Sequence, residues 1–108
     1  MERVRVARLG DLPPGGGRRV DAGGHRVALL RDQDGVFALG DRCSHAEASL
    51  AEGEVFAGTV ECPRHGSTFD LRTGAALTLP AIQAVPVYRV EMEGEDVFLW
   101  LPDAEGSA

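Results

Sequence analysis

The sequence has no lysine, few cysteines and no long apolar run. All eleven basic residues are arginines, which excludes chemistry that depends on a lysine Schiff base. Two cysteines are too few for a disulfide scaffold and indicate a reducing compartment. The longest apolar run covers residues 97–101, whereas a transmembrane helix needs about 20 residues. No N-terminal signal pattern is present either, so we expect a cytoplasmic protein without membrane association.

The charge balance is acidic, with a net charge of −6. Nucleic-acid binding requires a basic surface and is therefore not expected. An acidic surface is suited to docking on basic protein partners. The length of 108 residues predicts a single domain that spans residues 1–108.

The pattern of residues predicts an all-β fold. Glycine and proline together make up 20 of the 108 residues, against ~12% in average usage, which favours short strands and turns. Turn signals separate eight to ten predicted strands; the clearest cover residues 3–6, 26–31, 36–39, 59–62, 68–71 and 97–101. Only residues 47–52 could be helical. We expect a loop-rich subdomain at residues 42–80 and a basal β subdomain formed by residues 1–41 and 81–101.

Two short pairs of cysteine and histidine carry the chemistry. They are Cys43-Ser44-His45 and Cys62-Pro63-Arg64-His65, with sixteen residues between them. Thiolate and imidazole suit both iron and zinc, but structural zinc sites usually pair cysteine with cysteine and histidine with histidine. A Cys43–Cys62 disulfide does not suit a reducing compartment. A nucleophilic Cys–His pair would leave the other two residues unexplained, although spacing alone leaves these alternatives open.

The mixed pairs, together with the surrounding sequence CPRHGSTFD and Leu79-Pro80-Ala81, resemble the Rieske proteins over essentially the whole chain. The resemblance implies stacked antiparallel sheets and one [2Fe–2S] cluster. Cys43 and Cys62 would hold one iron, and His45 and His65 the other. The resemblance also implies a set of residues around the cluster: Ser44, Gly66, Ser67, Phe69 and Pro80.

The subtype follows from what this chain lacks. Respiratory members of the family carry two further cysteines, whereas this chain has Ala48 and Arg64 at those positions. The resemblance therefore implies a soluble, monomeric ferredoxin that is an electron carrier and not an enzyme. Its partners would be a flavin-dependent NAD(P)H reductase and a non-haem iron oxygenase or another redox enzyme. The alternatives are a small subunit of a larger enzyme such as assimilatory nitrite reductase, a protein associated with iron–sulfur assembly, or a zinc-binding interaction module. The third histidine, His25, is expected to be a solvated turn residue.

Overall fold

A computed structural model describes residues 2–44, 47–64, 66–79, 81 and 83–102. These residues form nine strands: β1 (Glu2–Arg8), β2 (Gly17–Ala22), β3 (His25–Asp32), β4 (Gly35–Gly40), β5 (Glu54–Phe56), β6 (Thr59–Glu61), β7 (Thr68–Asp70), β8 (Val87–Glu93) and β9 (Asp96–Leu101). Within the same residues, helix is confined to two 3-10 turns, Leu9–Asp11 and Leu50–Glu52. The all-β prediction is confirmed. Among the described residues, no helix has the length and apolar character needed to cross a membrane.

The strands form two antiparallel sheets. The larger sheet has the order β1-β9-β8-β4-β3-β2, and the smaller has the order β5-β6-β7. Strand β9 lies between β1 and β8, as its apolar sequence predicts. Its Val97, Leu99 and Leu101 are buried. Phe98 and Trp100 point to the other face, where Arg3 and Arg89 stack on their rings.

Strand β3 contributes side chains to two hydrophobic clusters, one on each of its faces. Val27 and Leu29 belong to the cluster inside the larger sheet. Ala28 and Leu30, which point the opposite way, belong to the cluster that contains Cys43, Cys62 and the small sheet. All four β3 side chains are completely buried, and burying a leucine contributes roughly 1.5–3 kcal/mol. Cys43 and Cys62 therefore belong to a hydrophobic cluster to which the central strand β3 contributes Ala28 and Leu30.

Several predicted elements change in detail. Residues 59–62 and 68–71 form strands that end one residue earlier, at Glu61 and Asp70. The prediction of at most a turn or two of helix within residues 47–52 is confirmed only at its end, where the 3-10 turn Leu50–Glu52 forms. Ser49, just before this turn, has extended backbone and forms a β-bridge with Arg42.

Strands β2 and β5 were not predicted from the sequence. Strand β2 is at the edge of its sheet and exposes Arg18, Arg19 and Asp21, so it has little apolar alternation. Strand β5 has only three residues, Glu54–Phe56. Both are fixed by pairing with neighbouring strands and not by a local pattern.

Candidate metal centre

The loop that contains Cys62 is the turn of the β6–β7 hairpin. The amide of Cys62 donates to the carbonyl oxygen of Ser67 at 2.7 Å, and the amide of Gly66 donates to the carbonyl oxygen of Cys62 at 3.0 Å. Gly66 has a φ of +76°, a conformation that glycine adopts without steric cost. The hairpin thus holds the Cys62–Ser67 loop by backbone contacts. The predicted ligand His65 lies outside the described residues.

The loop that contains Cys43 follows strand β4 and is closed in a similar way. The amide of Cys43 donates to the carbonyl oxygen of Ala48 at 3.1 Å, and the amide of Leu50 donates to that of Asp41 at 2.7 Å. An exposed ion pair joins Arg42 to Glu47 across the loop. The predicted ligand His45 lies outside the described residues.

The two cysteines lie in one core cluster. Cys43 is 3% exposed and Cys62 is 1% exposed, and no disulfide joins these two described residues. Two buried cysteines from separate loops in one hydrophobic cluster fit an iron–sulfur cluster, because cysteine thiolates are the usual ligands of such clusters. Among the described residues, no three histidine, cysteine or acidic side chains form a metal site, and two of the four predicted ligands are not among them.

Two serines connect these loops to the segment after Leu79. The Ser44 hydroxyl donates to the carbonyl oxygen of Gln83 at 2.6 Å. The amide of Ala81 donates to the Ser67 Oγ at 3.1 Å, and Ser67 is completely buried. The segment is therefore held against both ligand loops. The predicted site residue Pro80 lies outside the described residues.

Phe69 is a core residue behind the loops. It is completely buried, it pairs with Val60 in the small sheet, and it forms a β-bridge with Ala76. It belongs to the same hydrophobic cluster as Cys43 and Cys62. The structure thus places Phe69 where it supports both cysteine-bearing loops.

The turn after β7 contains a glycine with a positive φ and a capping carboxylate. Gly74 has a φ of +74°, as expected for a tight turn. The Asp70 carboxylate accepts hydrogen bonds from the amides of Arg72 and Thr73, and these bonds lower the pKa of Asp70. Asp70 is therefore a turn-capping residue and not a catalytic acid.

The prediction for His25 is wrong. His25 begins strand β3 and is half-buried. Its Nδ1 lies 3.1 Å from the Tyr88 hydroxyl, and the two rings pack edge to face. Burial raises the pKa of Tyr88. The preceding glycines suggested a turn, but the cross-sheet partner lies 63 residues away in the sequence and has no local signal.

Sequence reasoning also missed two features near the cysteines. Asp41 is completely buried at the base of the first loop; a lone aspartate after a strand gave no sign of this. Leu79 is 77% exposed and Leu77 is 50% exposed, so an apolar surface lies beside the segment held by the serines.

The fold and the site define a small all-β protein whose two buried cysteines are held by two closed loops. A family model described as the Rieske [2Fe–2S] domain matches residues 2–89. The 3-phenylpropionate/cinnamic acid dioxygenase ferredoxin subunit of Escherichia coli (strain K12) is 41% identical over 106 residues, which are 97% of this chain and 99% of that protein.

Solved structures agree with this match. The ferredoxin of carbazole 1,9a-dioxygenase from Nocardioides aromaticivorans IC177 has a TM-score of 0.85 and 40% identity, covering 92% of this chain and 97% of that one. A chain in the complex of reduced oxygenase and oxidized ferredoxin in carbazole 1,9a-dioxygenase has a TM-score of 0.81 and 34% identity, with 90% and 91% covered. The chain belongs to the Rieske [2Fe–2S] family. It binds a [2Fe–2S] cluster and is an electron carrier, not itself an enzyme.

Proposed function

We propose that this chain is the ferredoxin of an aromatic-ring-hydroxylating oxygenase system in the cytoplasm. It takes single electrons from a flavin-dependent NAD(P)H reductase and delivers them to the terminal oxygenase. The main support is the 41% identity to a dioxygenase ferredoxin subunit over nearly the full length of both chains. The similarity to a chain from an oxygenase–ferredoxin complex supports the same role.

Cys43 and Cys62 are the proposed ligands of one iron, and His45 and His65 those of the other. When bound, such a cluster accepts and releases one electron. The burial of both cysteines and the backbone bonds that close their loops support this assignment. Ser44 and Ser67 hold the segment that contains Ala81 and Gln83 against both loops and so help to exclude water from the centre.

The partner surface is proposed to surround the exposed end of the two loops. Leu79 supplies an exposed apolar contact there, and Pro63 and Arg64 are exposed on the neighbouring loop. Apolar contact at the centre of a small interface allows close approach of redox centres without demanding tight binding. The net charge of −6 favours a basic face on the partner, so association should slow as salt increases.

Reconstitution tests the role and the ligands together. Protein prepared anaerobically with iron should contain about two irons per chain and show a [2Fe–2S] spectrum. With NAD(P)H and oxygen alone it should turn over no substrate. Adding a reductase and an aromatic-ring-hydroxylating oxygenase should couple NAD(P)H oxidation to hydroxylation.

Histidine variants provide a matched pair. His45→Ala should lose the iron–sulfur cluster, whereas His25→Ala should keep it, because His25 contacts Tyr88 on strand β8 of the larger sheet. Stable co-purification with a nitrite reductase and no electron delivery to an oxygenase would favour the subunit alternative. Zinc in place of iron after anaerobic preparation would favour the interaction module.

A further inference from the structure

Asp41 is a buried residue near the predicted ligands whose carboxylate accepts three hydrogen bonds. Of the residues that the structure describes, only Asp41 and Ser67 are buried polar residues. The Asp41 carboxylate accepts hydrogen bonds from Arg26 Nε at 2.8 Å, from Ser49 Oγ at 2.7 Å and from the amide of Ala51 at 3.0 Å. Charged hydrogen bonds of this kind are stronger than neutral ones.

The backbone of Asp41 is fixed as well. Its amide donates to the carbonyl oxygen of Arg26 at 3.1 Å, and its carbonyl oxygen accepts from the amide of Leu50 at 2.7 Å. One residue thus connects strand β3 to both ends of the loop over residues 41–50. Cys43 lies two positions further along this loop, and the proposed ligand His45 four positions further.

The ion pair with Arg26 is asymmetric. The Asp41 side chain is 0% exposed, whereas that of Arg26 is 38% exposed. Arg26 can therefore remain partly hydrated while it neutralises a carboxylate that has lost its water. A buried carboxylate without such a partner would be strongly unfavourable, so the contacts with Ser49 and Ala51 depend on Arg26.

We propose that Asp41 is a positioning residue for the iron–sulfur cluster: its buried carboxylate, together with Arg26, holds the two described ends of this loop, residues 41–44 and 47–50, against each other and so fixes the direction of the Cys43 sulfur. This inference rests on the proposed ligand assignment. Backbone hydrogen bonds close this loop, and the contacts of the Asp41 side chain add a second constraint at its base, which limits how far the Cys43 sulfur can move. When the contacts of the Asp41 carboxylate are weakened, we expect a wider range of iron–sulfur geometries and faster loss of iron.

The test compares variants that weaken the contacts of the Asp41 carboxylate with two controls. Asp41→Ala removes all three side-chain contacts, Asp41→Asn retains one acceptor oxygen, and Ser49→Ala removes a single contact and should fold normally. Asp21→Asn is the chemical control, because Asp21 forms an exposed ion pair with Arg19 on strand β2. Leu99→Ala is the stability control, because Leu99 is buried in the other hydrophobic cluster.

The holoprotein gives two direct readouts: the rate of iron release to a chelator and the line width of the reduced cluster in electron paramagnetic resonance. We expect iron release tenfold faster or more in Asp41→Ala, and an intermediate rate in Asp41→Asn and Ser49→Ala, each with broadened lines. Asp21→Asn should match the wild type. Leu99→Ala should lower the melting temperature but keep wild-type line widths.

Two results together would overturn the positioning role. Ser49→Ala and Asp41→Asn would show unbroadened lines, and their rates of iron release would depend on melting temperature in the same way as that of Leu99→Ala. Those results leave the proposed electron carrier intact. Wild-type protein without a [2Fe–2S] spectrum would instead refute the carrier, and the positioning role with it.

Discussion

Ser67→Ala separates two roles that one buried hydroxyl can have. Ser67 is completely buried, and its Oγ accepts a hydrogen bond from the amide of Ala81 at 3.1 Å. A hydroxyl that accepts one bond still has its own proton to donate. The resemblance to Rieske proteins implies that this proton is donated to a cluster sulfur. The substitution therefore removes the acceptor of the Ala81 amide and, as the resemblance implies, a donor to the iron–sulfur cluster.

The two losses have different signatures. Leaving the buried Ala81 amide without an acceptor costs about 1–3 kcal/mol, which lowers the melting temperature by roughly 4 °C per kcal/mol for a domain of this size. A donor to the cluster sulfur stabilises the more negative, reduced state. Only the difference between oxidation states affects the potential. We estimate that difference at ~1–2 kcal/mol, which lowers the potential by about 40–90 mV for one electron.

Redox titration of purified holoprotein measures the second effect, and thermal unfolding measures the first. Ser44→Ala is the matched control, because the Ser44 hydroxyl already donates to the carbonyl oxygen of Gln83; its potential should change much less. If Ser67→Ala lowered the melting temperature but left the potential unchanged, the hydroxyl would serve only the Ala81 amide, and the tuning argument would be refuted.

Phe69→Tyr is the converse change. The resemblance to Rieske proteins implies that members of higher potential have a tyrosine whose hydroxyl donates to a cysteine sulfur, whereas Phe69 has no hydroxyl. Phe69 is completely buried in the hydrophobic cluster that contains Cys43. The added hydroxyl therefore needs a hydrogen-bond acceptor within that hydrophobic cluster. We expect a higher potential if it reaches the Cys43 sulfur. Lower stability with an unchanged potential would show that it does not.

Three further predictions concern other parts of the chain. The hydrogen bond from the Trp100 indole lowers the pKa of Glu91; this contact therefore stabilises the fold at neutral pH and is lost as the pH falls through that pKa. The fluorescence of Trp100 should titrate with a midpoint below the ordinary glutamate value, and Glu91→Gln should abolish the step; a midpoint at or above that value would contradict the contact. Gly74→Ala should destabilise by about 3 kcal/mol or more in urea unfolding, because its φ is +74° and its Cβ would lie 2.2 Å from a backbone oxygen, whereas Gly94→Ala, with space around it, should cost only ~1–2 kcal/mol; equal costs would exclude the clash. Leu79→Ser should slow electron transfer to the oxygenase without changing the melting temperature, and an unchanged rate would place the docking surface elsewhere.

Local signals account for the parts of the fold that sequence could predict. The continuous apolar run at residues 97–101 located β9, and the turn that follows residues 26–31 bounded the strand predicted there, which is β3. By contrast, the contact between His25 and Tyr88 joins residues that are distant in the sequence, and no local pattern encodes it.

The same distinction explains why the cysteines were easy to identify and their supports were not. The spacing of cysteine and histidine can be read directly from the sequence of each loop. The hydrogen-bond acceptors around them cannot, although every buried amide near a metal centre needs one. Asp41 supplies one to Ala51 and Ser67 supplies one to Ala81, in both cases from a different part of the chain. The two buried polar residues that the structure describes therefore lie where the ligand loops need side chains to replace ladder hydrogen bonds. Replacing either with an apolar residue of similar size would keep the core volume but leave an amide unsatisfied, so packing alone cannot hold these loops.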